Sequence, residues 1–406
     1  MEESLTSYTR ALQLTLESIS PLDAEVAPLS RLTGRVAGRD LYALVDCPSV
    51  DVSLKDGYAI RSADISHATA ENHVRLQLIG SIPAGGGFTG EVIPGTAVRI
   101  LSGARIPKGA EAVVSEEFAG DDGYLVTVTN HAEPGRNILR QGSDVLGGQF
   151  LISAGTVLRP AQVGLLAAAG HSEIPVIRQP RVAIIATGDE VLAPGEELRA
   201  GKLFASNLVT LAAWCSLYGL RTTTNVVKDD AGAIRSRLLE AIAASDAIVT
   251  SGGAWKGERD LVIGLLDELG WHKIYHRVKI GPGKAVGFGL WQGKPVFCLP
   301  GGPPSNLMAF LQLGLPGLLK LAGHKQPGLP EMVVKLAEGV AGQRDWTQFI
   351  EGRLQRVGEE LLFYPFKMTS RLQSMASAEG LLAIPEGTAV IPKGAMVRVQ
   401  VLAPRR

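Results

Sequence analysis

A chain of 406 residues is too long for one ordinary core, so two to four domains are expected. Hydrophobic residues make up 46% and charged residues 20%, the balance of a folded chain and not of a disordered one. Lys plus Arg equals Asp plus Glu at 40 each, with no basic cluster, which argues against nucleic acid as a partner.

No window reaches ~18 uninterrupted apolar residues, so no membrane span is expected. The start, Met1-Glu-Glu-Ser-Leu, lacks the positive and apolar regions of a secretory signal. Cys47, Cys215 and Cys298 are too far apart for a disulfide framework or a metal knuckle, and the cytosol is the natural compartment. Cys215 and Cys298 read as small buried hydrophobes.

In chain order, residues 1 to about 45 are helical in pattern, with apolar positions near 3.6 spacing from Ser4 to Ser18. From 46 to about 134 Gly and Pro are frequent, and Val74 to Ile79 and Tyr124 to Thr129 alternate as half-buried strands do. This segment reads as a β-rich insert. Ala161 to Ala169 returns to a helical pattern, so 1–45 and 135–178 are expected to close into one N-terminal domain around the insert at 46–134.

Residues 179–325 form the expected central domain. Arg181 to Thr187 is a continuous apolar strand, as a parallel strand covered on both faces requires. A helix from Ser206 to Tyr218 follows, with Ser206 or Asn207 as its cap and Gly219 as its stop. Then come a strand at Thr222–Val227, a helix at Ala231–Ala244, a strand at Asp246–Thr250, a helix at Asp260–Leu269, a strand at Lys294–Leu299 and a helix from about Ser305 to Leu313. Alternation at this spacing means βαβ units and a doubly wound, mainly parallel sheet. The tail, 330–406, is strand-rich, with strands at Glu331–Leu336, Gln348–Leu354 and Ala395–Leu402 and a turn in Leu381–Thr388; a small antiparallel β-barrel fits it.

In an open parallel sheet, ligands bind beyond the carboxyl ends of the strands. The loops there are Thr187-Gly-Asp-Glu, Ser251-Gly-Gly-Ala-Trp-Lys-Gly, Pro300-Gly-Gly-Pro-Pro-Ser and, nearby, Gly281-Pro-Gly-Lys-Ala. Glycine lets backbone N–H groups approach an anion, although Gly-Gly after a strand is also an ordinary tight turn. Four such loops in one domain point to a phosphate-bearing ligand. Asp189, Glu190, Asp230 and Asp260 fall near strand ends, where clustered carboxylates suit Mg²⁺ bridging to phosphate oxygens. Asp230 fits equally as a helix cap. Asp56, in Asp-Gly, has the pattern of a turn residue. His272 and His276 lie in a strand-like stretch, where their spacing makes no metal pair. A P-loop, a Rossmann Gly-x-Gly-x-x-Gly and a Ser/His/Asp arrangement are all missing from the sequence.

These segments in this order resemble the molybdopterin molybdenumtransferase family, bacterial MoeA with the related domains of gephyrin and plant Cnx. The resemblance rests on Asp56-Gly-Tyr-Ala, Ser102-Gly-Ala-x-x-Pro-x-Gly-Ala, Gly142-Ser-Asp-Val, Thr187-Gly-Asp-Glu, Ser251-Gly-Gly, Pro282-Gly-Lys, Leu299-Pro-Gly and Ser374-Met-Ala-x-Ala-x-Gly-Leu. It implies that molybdate is inserted into adenylylated molybdopterin with Mg²⁺ assisting, giving molybdenum cofactor and AMP. It also implies a homodimer, with the site between the α/β domain of one subunit and the N-terminal region of the other. Other cofactor-assembly proteins are further candidate partners.

Carried over by motif, Asp56, Asp144, Glu190, Asp230 and Asp260 would act in the chemistry. Asp189, Glu190 and Asp230 would hold the metal. Thr187, Ser251, Gly252, Gly253, Pro282, Gly283, Lys284, Pro300 and Gly301 would hold the pterin nucleotide.

The chain departs from the family pattern at the ligand loops. The usual Met before Asp56 is Lys55, and the usual Gly-Glu-Asp is Gly142-Ser-Asp. Gly-Gly-Val-Ser-Val-Gly becomes Gly252-Gly-Ala-Trp-Lys-Gly. Lys-Pro-Gly-Lys-Pro becomes Gly281-Pro-Gly-Lys-Ala, and Pro-Gly-Asn-Pro becomes Pro300-Gly-Gly-Pro. With a Lys lost at Gly281, Lys256 is the expected replacement charge and Lys279, on the same strand face, its competitor. Two alternatives stay open: a non-catalytic cofactor carrier or scaffold, for which the altered loops at Trp255-Lys256 and Gly302 speak, and an insertase preferring tungstate.

Overall fold

The computed structural model describes residues 5–253, 261–367 and 371–402. Its centre is a six-stranded sheet in the order Arg221–Val227, Arg181–Thr187, Ala247–Ser251, Lys294–Leu299, Gly287–Trp291, His272–His276. The first four strands are parallel, and Gly287–Trp291 runs antiparallel to both of its neighbours. Side-chain alternation sends Ile184, Val249 and Phe297 into one core and Ile185, Ile248 and Val296 into another. Helix Ser206–Leu217 and the helical run 303–321 cover the first face, and Ala231–Ala244 and Leu261–Glu268 the second. Burial on both faces is why Arg181–Thr187, Ala247–Ser251 and Lys294–Leu299 read as apolar runs.

Two helix ends differ from the expectation. Ser206 is the first helical residue, and the cap position belongs to Ala205, which has no side-chain acceptor. The last helix runs well past Leu313, through a π-helical stretch at Phe310–Gly314, to Leu321. Within that stretch Gln312 is buried, and its amide pairs reciprocally with that of Gln400 at 2.7 and 3.2 Å. The Tyr8 hydroxyl donates to Gln312 at 3.1 Å.

The first 45 residues divide. Helix Tyr8–Ser18 packs on the α/β core, with Ala11 fully buried and the Thr15 and Tyr275 hydroxyls 2.8 Å apart. A Cβ on Gly317 would stand 2.5 Å from Phe297 and 3.0 Å from Ile19 and Thr15, so this glycine makes room for the helix. Beyond Ile19 the chain is extended: Ala24–Pro28 pairs with Glu173–Ile177, and Leu41–Tyr42 with Phe150–Ile152. The two stretches share a core of Ala27, Leu32, Leu41, Ile152, Leu166 and Val176. Between them lies a six-stranded sheet in which Val74–Ile82 and Leu125–Val128 pair antiparallel.

At the C-terminal end Thr347–Val357, Glu360–Pro365, Glu331–Leu336, Met396–Val401 and Gly380–Ile384 close into a five-strand barrel, with one parallel pairing and four antiparallel ones. Two of these strands, Glu360–Pro365 and Gly380–Ile384, were not anticipated as strands. The barrel sheet extends through Val278–Gly281 to Thr6–Ser7, both parallel additions.

The link from the N-terminal domain to the sheet is fixed by Asp246. Burial alone would raise its carboxyl. The bidentate Arg178 guanidinium at 2.8 and 2.9 Å, with the Arg181 N–H at 2.8 Å, more than offsets that and holds it at about 2. A depressed carboxyl contributes stability above the unfolded-state value, ~3.9, that disappears as pH falls through the folded value. Stability should therefore drop between about pH 4 and pH 2, and Asp246→Asn should flatten that part of the profile in urea melts. Superimposable profiles would refute the linkage.

Candidate functional site

The carboxyl ends of the parallel strands open on a cavity of about 690 Å³ lined by Thr187, Gly188 and Glu190, by Ser251 to Gly253, and by Pro300 and Gly301. Three of the expected loops thus meet in one place. The fourth lines an adjoining hollow of about 420 Å³ formed by Gly281 to Lys284 and Trp346. Ala285 and Pro300 face both spaces, so the two adjoin.

The glycines are dictated by close approach. Gly252 has φ +100°, and a Cβ there would stand 2.7 Å from the Thr187 carbonyl. Gly253 has φ +64° and a Cβ would meet Val262 at 2.7 Å. At Gly188, φ +147°, the Glu190 carboxylate oxygens lie 2.8 and 2.9 Å from where a Cβ would be. Each substitution would add backbone strain to a clash.

Two asparagines tie the loops together. Asn207 Nδ2 donates to the Gly301 carbonyl at 2.8 Å and the Ser251 hydroxyl at 3.2 Å. Asn306 Nδ2 donates to the Pro300 carbonyl at 2.8 Å and the same hydroxyl at 3.0 Å. The Thr187 hydroxyl is buried against Gly252 and Gly253 without a partner. In the adjoining hollow the Lys284 ammonium sits 4.8 Å from the Trp346 ring centre, a cation–π contact.

The predicted acids divide. Glu190 lines the cavity, while Asp189 accepts from the Asp229 N–H at 3.3 Å. Asp230 caps helix Ala231–Ala244, accepting from the Ala233 N–H at 2.7 Å, and its neighbour Asp229 lines the cavity. Asp56 and Asp144 belong to the stretch between 46 and 147, which contributes nothing to the lining of the cavity. Asp56 accepts from the Ser102 N–H at 2.6 Å and hydroxyl at 2.8 Å, which lowers its carboxyl below the usual range. Asp144 is exposed. Asp260 and Lys256 lie outside the described residues. Lys279, the competing cation, is paired with Glu386 at 2.8 Å. Among the described residues no three His, Cys, Asp or Glu side chains converge on one point. Burial pushes the Cys215 and Cys298 thiols up to about 12, away from reactivity.

Asp229, Asn306 and Trp346 were not anticipated as site residues, and Asn207 only as a cap. A signal existed for two of them. In the Asp229-Asp230 doublet one carboxylate caps the helix and the neighbouring residue lines the cavity. Asn306 is a lone amide before the apolar run Leu307-Met-Ala-Phe.

An open α/β sheet whose strand ends carry glycine-dictated loops around one cavity, with Glu190 and Asp229 at its wall and Lys284 in the adjoining hollow, places the protein in the class of α/β proteins that bind a ligand beyond their strand ends. The comparisons narrow this. Residues 6–170 match the MoeA N-terminal region (domain I and II), 183–320 a probable molybdopterin binding domain, and 333–402 the MoeA C-terminal region (domain IV). Molybdopterin molybdenumtransferase 2 of Mycobacterium tuberculosis is 33% identical over 402 residues, 98% of each chain. The Nostoc molybdopterin molybdenumtransferase is 30% identical, covering 94% of this chain and 89% of its own. The crystal structure of the molybdopterin biosynthesis MoeA protein from Pyrococcus horikoshii superimposes with a TM-score of 0.83 at 30% identity, over 98% of this chain and all of that one. The chain belongs to the MoeA family of molybdopterin molybdenumtransferases.

The capping geometry assigns Asp230 a cost that can be read. Asp230→Ala should lower stability by ~1 kcal/mol through loss of the cap, seen as a lower urea midpoint. An unchanged midpoint would mean that this carboxylate is not committed to the helix.

Proposed function

We propose that the cavity inserts molybdate into adenylylated molybdopterin, releasing AMP. The observation that carries this reading is the convergence of the Thr187–Glu190, Ser251–Gly253 and Pro300–Gly301 loops on one cavity beside Lys284. The transferase names of the relatives favour it over the carrier.

The chemistry asks little covalent work of the protein. The dithiolene sulfurs come from the substrate, which suits a chain whose two buried thiols have no part in the site. What remains is to position two anions and to stabilise the phosphate that leaves. The backbone N–H of Gly253 and the Ser251 hydroxyl would hold one phosphoryl group, the Gly252 N–H being spent on the Leu299 carbonyl at 3.1 Å, and the Lys284 ammonium, kept in place by Trp346, would face the second anion. The hollow around Lys284 suits a small oxyanion, molybdate or the similarly sized tungstate.

Mg²⁺ commonly takes one or two carboxylates and fills its other places with water and phosphate oxygens. Glu190 and Asp229 at the cavity wall fit that pattern, and a bound Mg²⁺ would there neutralise phosphate charge. We further propose a homodimer. The N-terminal region exposes Tyr42, Leu44, Val45, Leu54, Leu146 and Phe150, each 46 to 62% accessible, an apolar surface suited to a second copy. A partner subunit's N-terminal region is also the source of acids that the reading requires at the site, Asp56 and Asp144. No helix among the described residues is long and apolar enough to cross a membrane, and we place the protein in the cytoplasm.

Purified chain given adenylylated molybdopterin, molybdate and Mg²⁺ should release AMP. Lys284→Ala should raise the molybdate requirement about tenfold or more, as loss of a charge-assisted contact does. Intact pterin-nucleotide binding without AMP release would turn the assignment toward a carrier.

A further inference from the structure

The Ser251 hydroxyl has an imposed polarity. Asn306 is 1% exposed, and its Nδ2 reaches both the Pro300 carbonyl, at 2.8 Å, and Ser251 Oγ, at 3.0 Å. A carbonyl can only accept, so the amide must present its NH₂ edge here, and its orientation is settled by chemistry. The same reasoning fixes Asn207, whose Nδ2 lies 2.8 Å from the Gly301 carbonyl and 3.2 Å from Ser251 Oγ. Two N–H groups therefore point at one hydroxyl oxygen. A serine hydroxyl has two lone pairs and one proton. With both pairs engaged it is left only as a donor, and no acceptor for its proton is found among the described residues. Ser251 lines the cavity.

We propose that Asn306 and Asn207 are positioning residues that hold Ser251 as an obligate hydrogen-bond donor. The group bound at this end of the cavity is then an acceptor, an anionic phosphoryl oxygen, and not an ammonium or amide. The inference rests on the pterin-nucleotide reading above and adds the polarity of one contact, together with the residues that impose it. Asn306 also bears on the altered loop. Where the family pattern has Pro-Gly-Asn-Pro, this chain has Gly302, and an amide stands four residues further on, at Asn306. From there it fastens the end of strand Ala247–Ser251 to the loop after strand Lys294–Leu299.

The test is calorimetric titration of the full chain with adenylylated molybdopterin and, separately, with inorganic phosphate. Ser251→Ala should weaken both about tenfold or more, the usual effect of losing a hydrogen bond to a charged oxygen. Asn306→Ala should weaken binding to a similar degree alone and cause no further loss on top of Ser251→Ala; a purely structural role would give additive losses. Asn207→Ala, at a half-exposed position, removes one of the two donors without adding charge and should weaken binding with no further loss on top of Ser251→Ala. This variant decides the matter if Asn306→Ala fails to fold. Wild-type binding with additive or absent losses overturns the polarity inference alone. Loss of pterin-nucleotide binding by the wild type, with phosphate still bound in a Ser251-dependent way, overturns the functional reading alone. Failure to bind either overturns both.

Discussion

Everything at the site depends on backbone meeting backbone where no side chain can fit. Gly252 lies 2.7 Å, at the place of its absent Cβ, from the Thr187 carbonyl. Three strands end within this small space, so their loops are held in contact by the sheet itself. The parallel register of Arg181–Thr187, Ala247–Ser251 and Lys294–Leu299 brings the ends level, Ala186 beside Ser251 and Ser251 beside Leu299. A sheet that is buried on both faces cannot shift that register without exposing two cores. The rigidity of the interior thus becomes the precision of the cavity.

The contrast between the two asparagines and the carboxylates follows from where each stands. Asn207 and Asn306 lie between loops and spend their hydrogen bonds on fixing them. Glu190 and Asp229 stand at the wall, exposed, where a carboxylate is spared the desolvation penalty of burial. Lys284 is placed differently again, over an indole supplied by the barrel. Its strand neighbour Val278–Gly281 pairs with that same barrel, so cation and ring are set by one continuous sheet.

Much of this architecture was legible in the sequence because it obeys local rules. The apolar runs at Arg181 and Ala247 and the glycines after them follow from burial on two faces and from tight approach, both of which leave marks on single segments. What escaped was set by distant partners. Glu360–Pro365 has no reason to be a strand apart from the parallel neighbour Glu331–Leu336 that completes the barrel. Helix Tyr8–Ser18 leaves the N-terminal domain because Gly317, far along the chain, makes a place for it. Trp346 reaches Lys284 only once the barrel has docked.

The parallel pairing of Thr6 with Val278 and of Ile280 with Thr347 carries a consequence for biosynthesis. A chain emerging from the ribosome amino end first must keep its opening helix waiting, with its Ala11 face uncovered, until Gly317 has been made. The barrel sheet is consequently completed from both ends of the polypeptide, and a nascent chain halted before residue 320 would carry an unclosed apolar seam that chaperones could recognise.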